Sequence, residues 1–413
     1  MSYPPWNIRC MRTAYKCRAY PEPEQAAMLR RTFGCIRVVW NRTLAARHAR
    51  YATERKGTSY RETDAALTAM KRLPELAWLN AVSSAPLQQT LRHQHAAFQA
   101  FFAGRARRPR FKSRDGRQSA HYTRSAFRLR DGALWLAKTS EPLRLVWSWP
   151  EVDLATLHPR MVIVSREPDG RWFVTFAVEQ PAPAPLPATG RAVGVDLGIK
   201  DFAALSTGET IAHPRHMDCH ERRLRRYQRR LARKQKASAN RRKARRKVAR
   251  QHARVRDARR DFLHKTSTRL VREFDTIVVE DLNVAGMVRN RRLARSIAQT
   301  GWADLRAMLA YKAERAGRRL LVVDRWYPSS KTCSACGHLL ATLRLGTRAW
   351  VCPDCGARHD RDVNAAGNIL AAGLAVARES GACGDGVRRQ GSSLPQSSVK
   401  QERLAARPGI PAL

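Results

Sequence analysis

The sequence predicts an α+β multidomain protein, and three observations predict it. Period-two alternation clusters between residues 120 and 180, where RMVIVSREPDGRWFVTFAVEQ carries the Pro168-Asp169-Gly170 turn of a hairpin, so a small antiparallel sheet or barrel belongs there. Apolar residues recur at three and four over much of residues 21–102, the period of amphipathic helices. Beyond a Pro/Ala stretch at 181–190, near-continuous apolar runs alternate with helical patterns, and a paired-cysteine motif interrupts them near the C-terminal end.

Composition limits the partners. The chain has 413 residues, 43% of them hydrophobic, enough for two or three packed cores. Its 78 Lys+Arg against 34 Asp+Glu leave a net charge of +44, which repels itself unless a polyanion lies along it. Nucleic acid is that polyanion. No apolar stretch approaches the roughly 18 residues of a spanning helix, and MSYPPWNIRC lacks a signal peptide's apolar core, so a cytoplasmic, nucleoid-associated protein with no membrane partner is expected.

In order along the chain, Ala14 to Tyr20 alternates as a strand able to complete the later sheet, giving a barrel-like unit from residues 1–20 and 103–180. Between its halves, residues 21–102 form a helical insertion. Leu29, Phe33, Ile36, Val39, Trp40 and Leu44 share one face of its first helix, and a second helical region from Thr58 to Phe102 breaks near Pro74 and Pro86. Residues 103–113, rich in Arg, Lys and Pro, read equally as a solvated linker or a strap against phosphates.

After the linker at 181–190, RAVGVDLGIKDFAALSTGETIAHP reads as a three-strand meander. Residues 217–272 read as a basic helical hairpin turning around residues 238–240, with Leu224, Tyr227, Leu231, Val248 and Val255 as its apolar seam. Such dense charge of one sign predicts nucleic-acid contact through Arg222, Arg226, Arg229 and Arg230 on the first helix and Arg241, Arg242, Arg245 and Arg246 on the second. FDTIVVEDLNV is a central strand ending in carboxylates. A lid-like basic loop (GMVRNRRLARSIAQTG), a helix from Trp302 to Ala316 and a second buried strand (RLLVVDRW) follow, and from residue 380 the chain reads as a disordered tail.

Four of the nine cysteines sit in two CxxC pairs, Cys333/Cys336 and Cys352/Cys355, a spacing suited to one structural zinc ion held in a ribbon over residues 328–357. Four thiolates leave no position open for water, so this ion is expected to hold structure and take no part in chemistry. The solitary Cys10, Cys17, Cys35, Cys219 and Cys383 read as buried or half-buried thiols. Three acids, Asp196, Glu280 and Asp362, each end an apolar run or begin a helix, although Asp281 competes with Glu280 and Asp360 with Asp362. Carboxylates gathered by folding suit a pair of hard divalent ions, Mg²⁺ or Mn²⁺, on a phosphodiester. That is a split nuclease site.

At GVDLGIK, VVEDLN, RWYPSSKTCSACG, VCPDCG and DRDVNAAGNI the chain resembles the TnpB (OrfB) proteins of insertion sequences, which are related to the compact type V CRISPR effectors. YKCRAYPEPEQAAMLRRTFGCIRVVWNRTLA resembles the same family's N-terminal region, so the likeness runs to about residue 378. It implies an RNase H-like, RuvC-type nuclease domain over residues 191–327 and 358–379, interrupted by the zinc ribbon and preceded by a wedge-like barrel carrying a helical recognition insertion. It also implies an RNA-guided DNA endonuclease, with Asp196, Glu280 and Asp362 as its metal-binding catalytic acids, a guide RNA from the mobile element and a double-stranded DNA target. Two other readings stay open: a guided or plain DNA-binding regulator that does not cut, and a transposase acting without a guide. For the last, the sequence offers no tyrosine nucleophile beside paired histidines, and His213 and His216 read as incidental.

Overall fold

The computed structural model describes residues 10–216, 218–344 and 346–382. The first nine residues and residues 383–413, which include Cys383 and most of the expected tail, lie outside the described residues.

A first body is built on a five-stranded antiparallel sheet. Its strands are β1 (Cys10–Ala19), β2 (Gln118–Thr123), β5 (Leu145–Val146), β6 (Met161–Arg166) and β7 (Trp172–Pro181), in the order β2-β6-β7-β1-β5. The strand β1 pairs along its whole length with β7, as the alternation near Tyr15 leads one to expect. A hairpin of β3 (Phe127–Arg130) and β4 (Ala133–Leu136) stands beside the sheet. Three helices intervene after β1: α1 (Pro23–Glu54), α2 (Tyr60–Arg72) and α3 (Ser84–Phe102), with a 3₁₀ turn at Pro74–Ala81. Tyr15, Val164 and Phe176 from the sheet, Leu134 from the hairpin and Leu29, Phe33 and Ile36 from α1 close one core.

The segment 103–113 is fastened to α1. Trp40 Nε1 donates to the Arg110 carbonyl (2.9 Å), and Asn41 exchanges hydrogen bonds with the Lys112 backbone at 3.1 and 2.8 Å. The linker is equally tied down. Thr189 and Gly190 backbone N–H groups donate to the Asp275 carboxylate, and Arg318 bridges that carboxylate to the Pro187 carbonyl.

A second body holds a mixed five-stranded sheet: β8 (Ala192–Leu197), β9 (Asp201–Leu205), β10 (Thr210–Ala212), β11 (Thr276–Glu280) and β12 (Arg319–Val323), ordered β10-β9-β8-β11-β12. The first three form the expected meander, while β11 joins both β8 and β12 in parallel. Between them come α4 (Asp218–Ala232) and α5 (Ala239–Glu273), the basic hairpin, then α6 (Val284–Met287), α7 (Ala294–Thr300) and α8 (Trp302–Ala316). A small hairpin of β13 (Ala349–Val351) and β14 (Arg358–Asp360) leads into α9 (Arg361–Ala382). Among the described residues no helix is long and apolar enough to cross a membrane.

Strand alternation divides this sheet into two faces. Val193, Val195, Ile277 and Val279 meet Leu263, Leu270, Leu305 and Leu309 of α5 and α8. Gly194 and Val278 look the other way, onto α9. A Cβ at Gly194 would lie 2.0 Å from the Ala366 carbonyl oxygen, and one at Gly373 2.3 Å from Val278 Cγ1. The helix is therefore sunk onto the sheet at contact distances that only hydrogen side chains permit.

Three expectations need correction. RLLVVDRW is a half-exposed edge strand with Val322 47% exposed, because nothing pairs beyond β12; an apolar run does not reveal its place in a sheet. The basic segment after β11 contains two short helices, α6 and α7, capped at the first by Asn283, whose side chain accepts from Gly286 N. Cys17 and Cys35 are buried, but Cys10 and Cys219 are exposed.

Gly194→Ala should lower stability by about 3 kcal/mol or more, since the carbonyl it strikes is backbone and cannot rotate away. Gly34→Ala, in α1 with nothing within 4 Å of the added carbon, should raise it by about 0.5–1 kcal/mol. Thermal melts of the two variants against the native chain check both signs.

Candidate metal centres

The parallel register between β8 and β11 runs Thr276 to Ala192, Ile277 to Val193, Val278 to Gly194 and Val279 to Val195. The next residues on the two strands are Glu280 and Asp196. Alternation gives both the face of Gly194 and Val278, the face that α9 covers. Asp362 lies in the first turn of α9, one turn before Ala366, whose carbonyl touches Gly194. One helical turn on α9 and two residues on β8 thus advance by similar distances toward the same end, and the three carboxylates meet there.

Electrostatics registers their proximity. Burial, then the neighbouring Glu280 and Asp362, push the Asp196 carboxyl up to about 7, against the opposing pull of Arg361. Burial also raises Glu280, whose Oε1 accepts the Ser329 hydroxyl at 2.5 Å. Asp362 keeps a partner, Arg348, at 3.4 Å.

The competing acids are accounted for. Asp281 is held low by ion pairs with Arg306 and Arg325, while Glu280 turns inward. Asp360 Oδ1 accepts from the backbone N–H groups of Asp362 and Val363 at 3.0 Å each, which caps α9 and leaves Asp362 to face the pocket. Half-buried carboxylates, with Glu280 and Asp362 raising the proton affinity of Asp196, are a donor set that a hard divalent cation relieves. Their oxygens do not close around one point as the cysteines do: among the described residues the quartet is the group of three or more His, Cys, Asp or Glu ligands gathered tightly enough to hold an ion.

Cys333, Cys336, Cys352 and Cys355 bring their sulfurs within 4.8 Å of one another. Cys333 lies 3.7 Å from Cys355 and Cys336 3.7 Å from Cys352, near the ~3.8 Å edge of a tetrahedron with ~2.3 Å zinc–sulfur bonds and far beyond a disulfide's ~2.05 Å. The residues fit zinc. Both knuckles repeat one turn: Gly337 N donates to Cys333 O and Gly356 N to Cys352 O, with the glycines at φ 81° and 74°, a conformation other residues resist. His359, tilted against Trp350, places Nε2 3.0 Å from Cys333 Sγ and supports the sulfur from outside the tetrahedron.

Sequence reasoning missed the bolts between ribbon and helix. Asn364 and Asn368, both buried, reach back from α9: Asn364 Nδ2 donates to Thr332 O, its Oδ1 accepts from Ser334 N, and Asn368 Nδ2 donates to Ser329 O and Thr332 O. Two asparagines at i and i+4 within an Ala/Gly/Ile helix were the signal available. Through Ser329 the same bolts bear on Glu280.

Of the eight candidate nucleic-acid arginines, Arg222, Arg226, Arg229 and Arg230 on α4 and Arg242, Arg245 and Arg246 on α5 are exposed. Arg241 is half-buried and donates to the Leu231 and Lys234 carbonyls, so it closes the helical hairpin. Arg245 pairs with Asp115 of the first body at 2.6 Å. His213 accepts from Arg215 N at 2.9 Å in a local turn.

Two sheets, a helical hairpin and a four-cysteine metal module define a class of α+β protein already represented among solved structures. The Cas12f1 chain in a complex with sgRNA and target DNA superposes with a TM-score of 0.52 at 13% identity, covering 84% of this chain and 83% of that one. Family profiles agree: one for OrfB of IS605, described as "Probable transposase", matches residues 175–291, one for a Cas12f1-like TNB domain residues 302–369, and one for a helix-turn-helix domain residues 11–56. A Streptomyces pristinaespiralis protein named as an RNA-guided DNA endonuclease is 53% identical over 98% of this chain and 99% of its own length. Escherichia coli InsQ, named likewise, is 33% identical over 95% of this chain and 99% of its own. The chain belongs to the OrfB (TnpB) family of insertion-sequence proteins.

Asp196 binds a proton more tightly folded, at about 7, than unfolded, near 3.8. Its contribution to stability is therefore fullest at low pH and is lost as pH rises from about 4 to 7. In magnesium-free buffer with zinc retained, Asp196→Asn should melt above the native chain at pH 8, by no more than about 4 kcal/mol, with the gap closing toward pH 4. Zinc removal should speed amide exchange across residues 328–357 while leaving β1 to β7 protected, and metal analysis of native against Cys352→Ser protein should read one zinc against none.

Proposed function

We propose that this chain is an RNA-guided DNA endonuclease of a mobile element, cutting with Asp196, Glu280 and Asp362 in a RuvC-like domain formed by the second body. The observation that carries the reading is the convergence of three carboxylates, from two parallel strands and a helix, on one face of a sheet. Two relatives that match almost end to end carry the name RNA-guided DNA endonuclease, which supports extending that activity to this chain.

Two Mg²⁺ or Mn²⁺ ions held by these acids would offset the charge that develops on the attacking and leaving oxygens of a phosphodiester. The chain's own residues prepare that site. The sheet and α9 leave Asp196 half-buried, the Ser329 hydroxyl fixes the Glu280 carboxylate, and the Asp360 cap orients the first turn of α9, which carries Asp362. Arg348 and Arg361 border the acids and balance them while no ion is bound. The ribbon's single zinc is structural.

A net charge of +44 suits a protein that carries a guide RNA and a DNA target together, reading backbone shape and charge and leaving sequence to base pairing. In this reading the first body, with its sheet and helical insertion, is the wedge and recognition part, and the exposed arginines of α4 and α5 line the strand path.

The test is cleavage of a guide-matched plasmid in Mg²⁺ by protein purified with its copurifying RNA. Native protein should cut, and Asp196→Ala, Glu280→Gln and Asp362→Ala should each lose roughly a thousandfold or more. Equal cutting by native and Asp196→Ala protein overturns the site. Ser329→Ala should cost about 10- to 100-fold and raise the magnesium needed for half-maximal rate, as loss of a ligand's support does.

A further inference from the structure

Between α5 and the first body's sheet, the two bodies line an open polar cleft of about 440 Å³. Six arginines line it. Arg18 comes from β1, Arg166 ends β6 and Arg171 follows the turn at Gly170, while Arg246, Arg250 and Arg254 repeat at i, i+4 and i+8 along one face of α5.

The acids at this cleft are already engaged. Asp169 and Asp257 both pair with Arg171, Asp257 also with Arg256, and Glu167 takes Lys16, Arg117 and Arg256. Among the described residues no carboxylate pairs with Arg18, Arg166, Arg246, Arg250 or Arg254. Arg18 Nη1 and Arg166 Nε are fully buried without an acceptor. Burial lowers the pKa of Arg166, and the neighbouring Arg246 and Arg30 lower it further, so the cleft works against its own charge. Arg18 lies over the Phe173 ring and Arg166 over Trp172, and their unmatched buried N–H donors suit an anionic partner rich in acceptors.

Geometry narrows the choice. Residues four apart on a helix rise by about 6 Å, so the α5 arginines form a ladder whose step suits successive phosphates of one extended strand. The opposing sheet arginines line the other side of the same cleft, so one strand between them meets guanidinium groups from both bodies.

We propose that this cleft is a binding site for two or three consecutive phosphodiesters of a single nucleic-acid strand, clamped between Arg246, Arg250 and Arg254 of α5 and Arg18 and Arg166 of the sheet. The proposal rests on the nucleic-acid reading above, yet it is separate from the acid pocket and needs no cleavage. A strand seated there adds its phosphates to the ion pairs Arg171–Asp257, Arg256–Glu167 and Arg245–Asp115 that already join the two bodies.

The test measures binding of labelled 12-nucleotide RNA and DNA of one sequence to the full chain, zinc-saturated and magnesium-free, across a salt series. Arg166→Gln with Arg250→Gln should weaken binding at least tenfold and flatten the log–log salt slope by about 1.4. The charge-matched pair Arg130→Gln with Lys138→Gln, both exposed, one at the β3–β4 turn and one just after β4, should change affinity less than twofold. Arg166→Lys with Arg250→Lys should restore the slope but only part of the affinity, because an ammonium lacks the guanidinium fork.

Equal weakening by both Gln pairs, or native affinity in the cleft variant, overturns the site. If the Gln pair melts early, native affinity in the Lys pair overturns it as well. Loss confined to RNA assigns the strand to the guide, loss confined to DNA assigns it to the target, and loss on both shows a site that reads phosphate alone. Cleft variants that bind as native, beside native protein that still cuts, remove this site and leave the nuclease reading standing. The reverse pattern removes the nuclease reading and leaves the cleft.

Discussion

The close contact between Gly194 of β8 and the Ala366 carbonyl of α9 is the constraint on which the second body depends. No side chain cushions it, so the helix cannot rise, roll or slide without opening a gap against the sheet. Because Asp196 lies two residues beyond Gly194, and Asp362 one turn before Ala366, this contact also sets how the two acids approach. Gly373 repeats the device further down, where α9 rides over Val278. Val278 in turn stands two residues before Glu280. Each acid is therefore placed by a packing contact on its own element, made out of reach of water.

Charge follows a division of labour. Along α4 and α5 most of the arginines are exposed and without an acidic partner, which a chain without a polyanion tolerates poorly. Around the acid pocket, carboxylates that would only add repulsion are neutralised: Asp281 by two guanidinium groups, Asp360 by backbone amides. Burial, with Glu280 and Asp362 nearby, raises the proton affinity of Asp196, burial raises that of Glu280, and the trio is left for a cation. Opposite excesses sit in different parts of one molecule, each awaiting a partner of the other sign.

Much of this was legible in the sequence. Period-two patterning gave β6 and β7, an apolar run gave β8, the bounds of α8 match Trp302 to Ala316, and the two CxxC pairs converge as their spacing requires. What stayed hidden depended on neighbours in space. The apolar run of β12 looks like a central strand, and only strand order shows it at an edge. Glu280 and Asp281 are indistinguishable until Arg306 and Arg325, 25 and 44 residues away, take one of them. Ser329, Asn364 and Asn368 are ordinary polar residues in a sequence, and they gain meaning once the ribbon folds back on α9.

The Asn364 and Asn368 hydrogen bonds bear on how the molecule comes into being. The ribbon precedes α9 in the chain, and its backbone carbonyls at Ser329 and Thr332 form the seat into which the start of that helix locks. Asp362 is the last of the three acids to emerge during synthesis, and it takes its place beside that seat. On the reading proposed above, zinc supply becomes a checkpoint on assembly: a chain made in zinc starvation would still present its arginines to nucleic acid but lack a finished acid pocket, holding a strand without the means to break it.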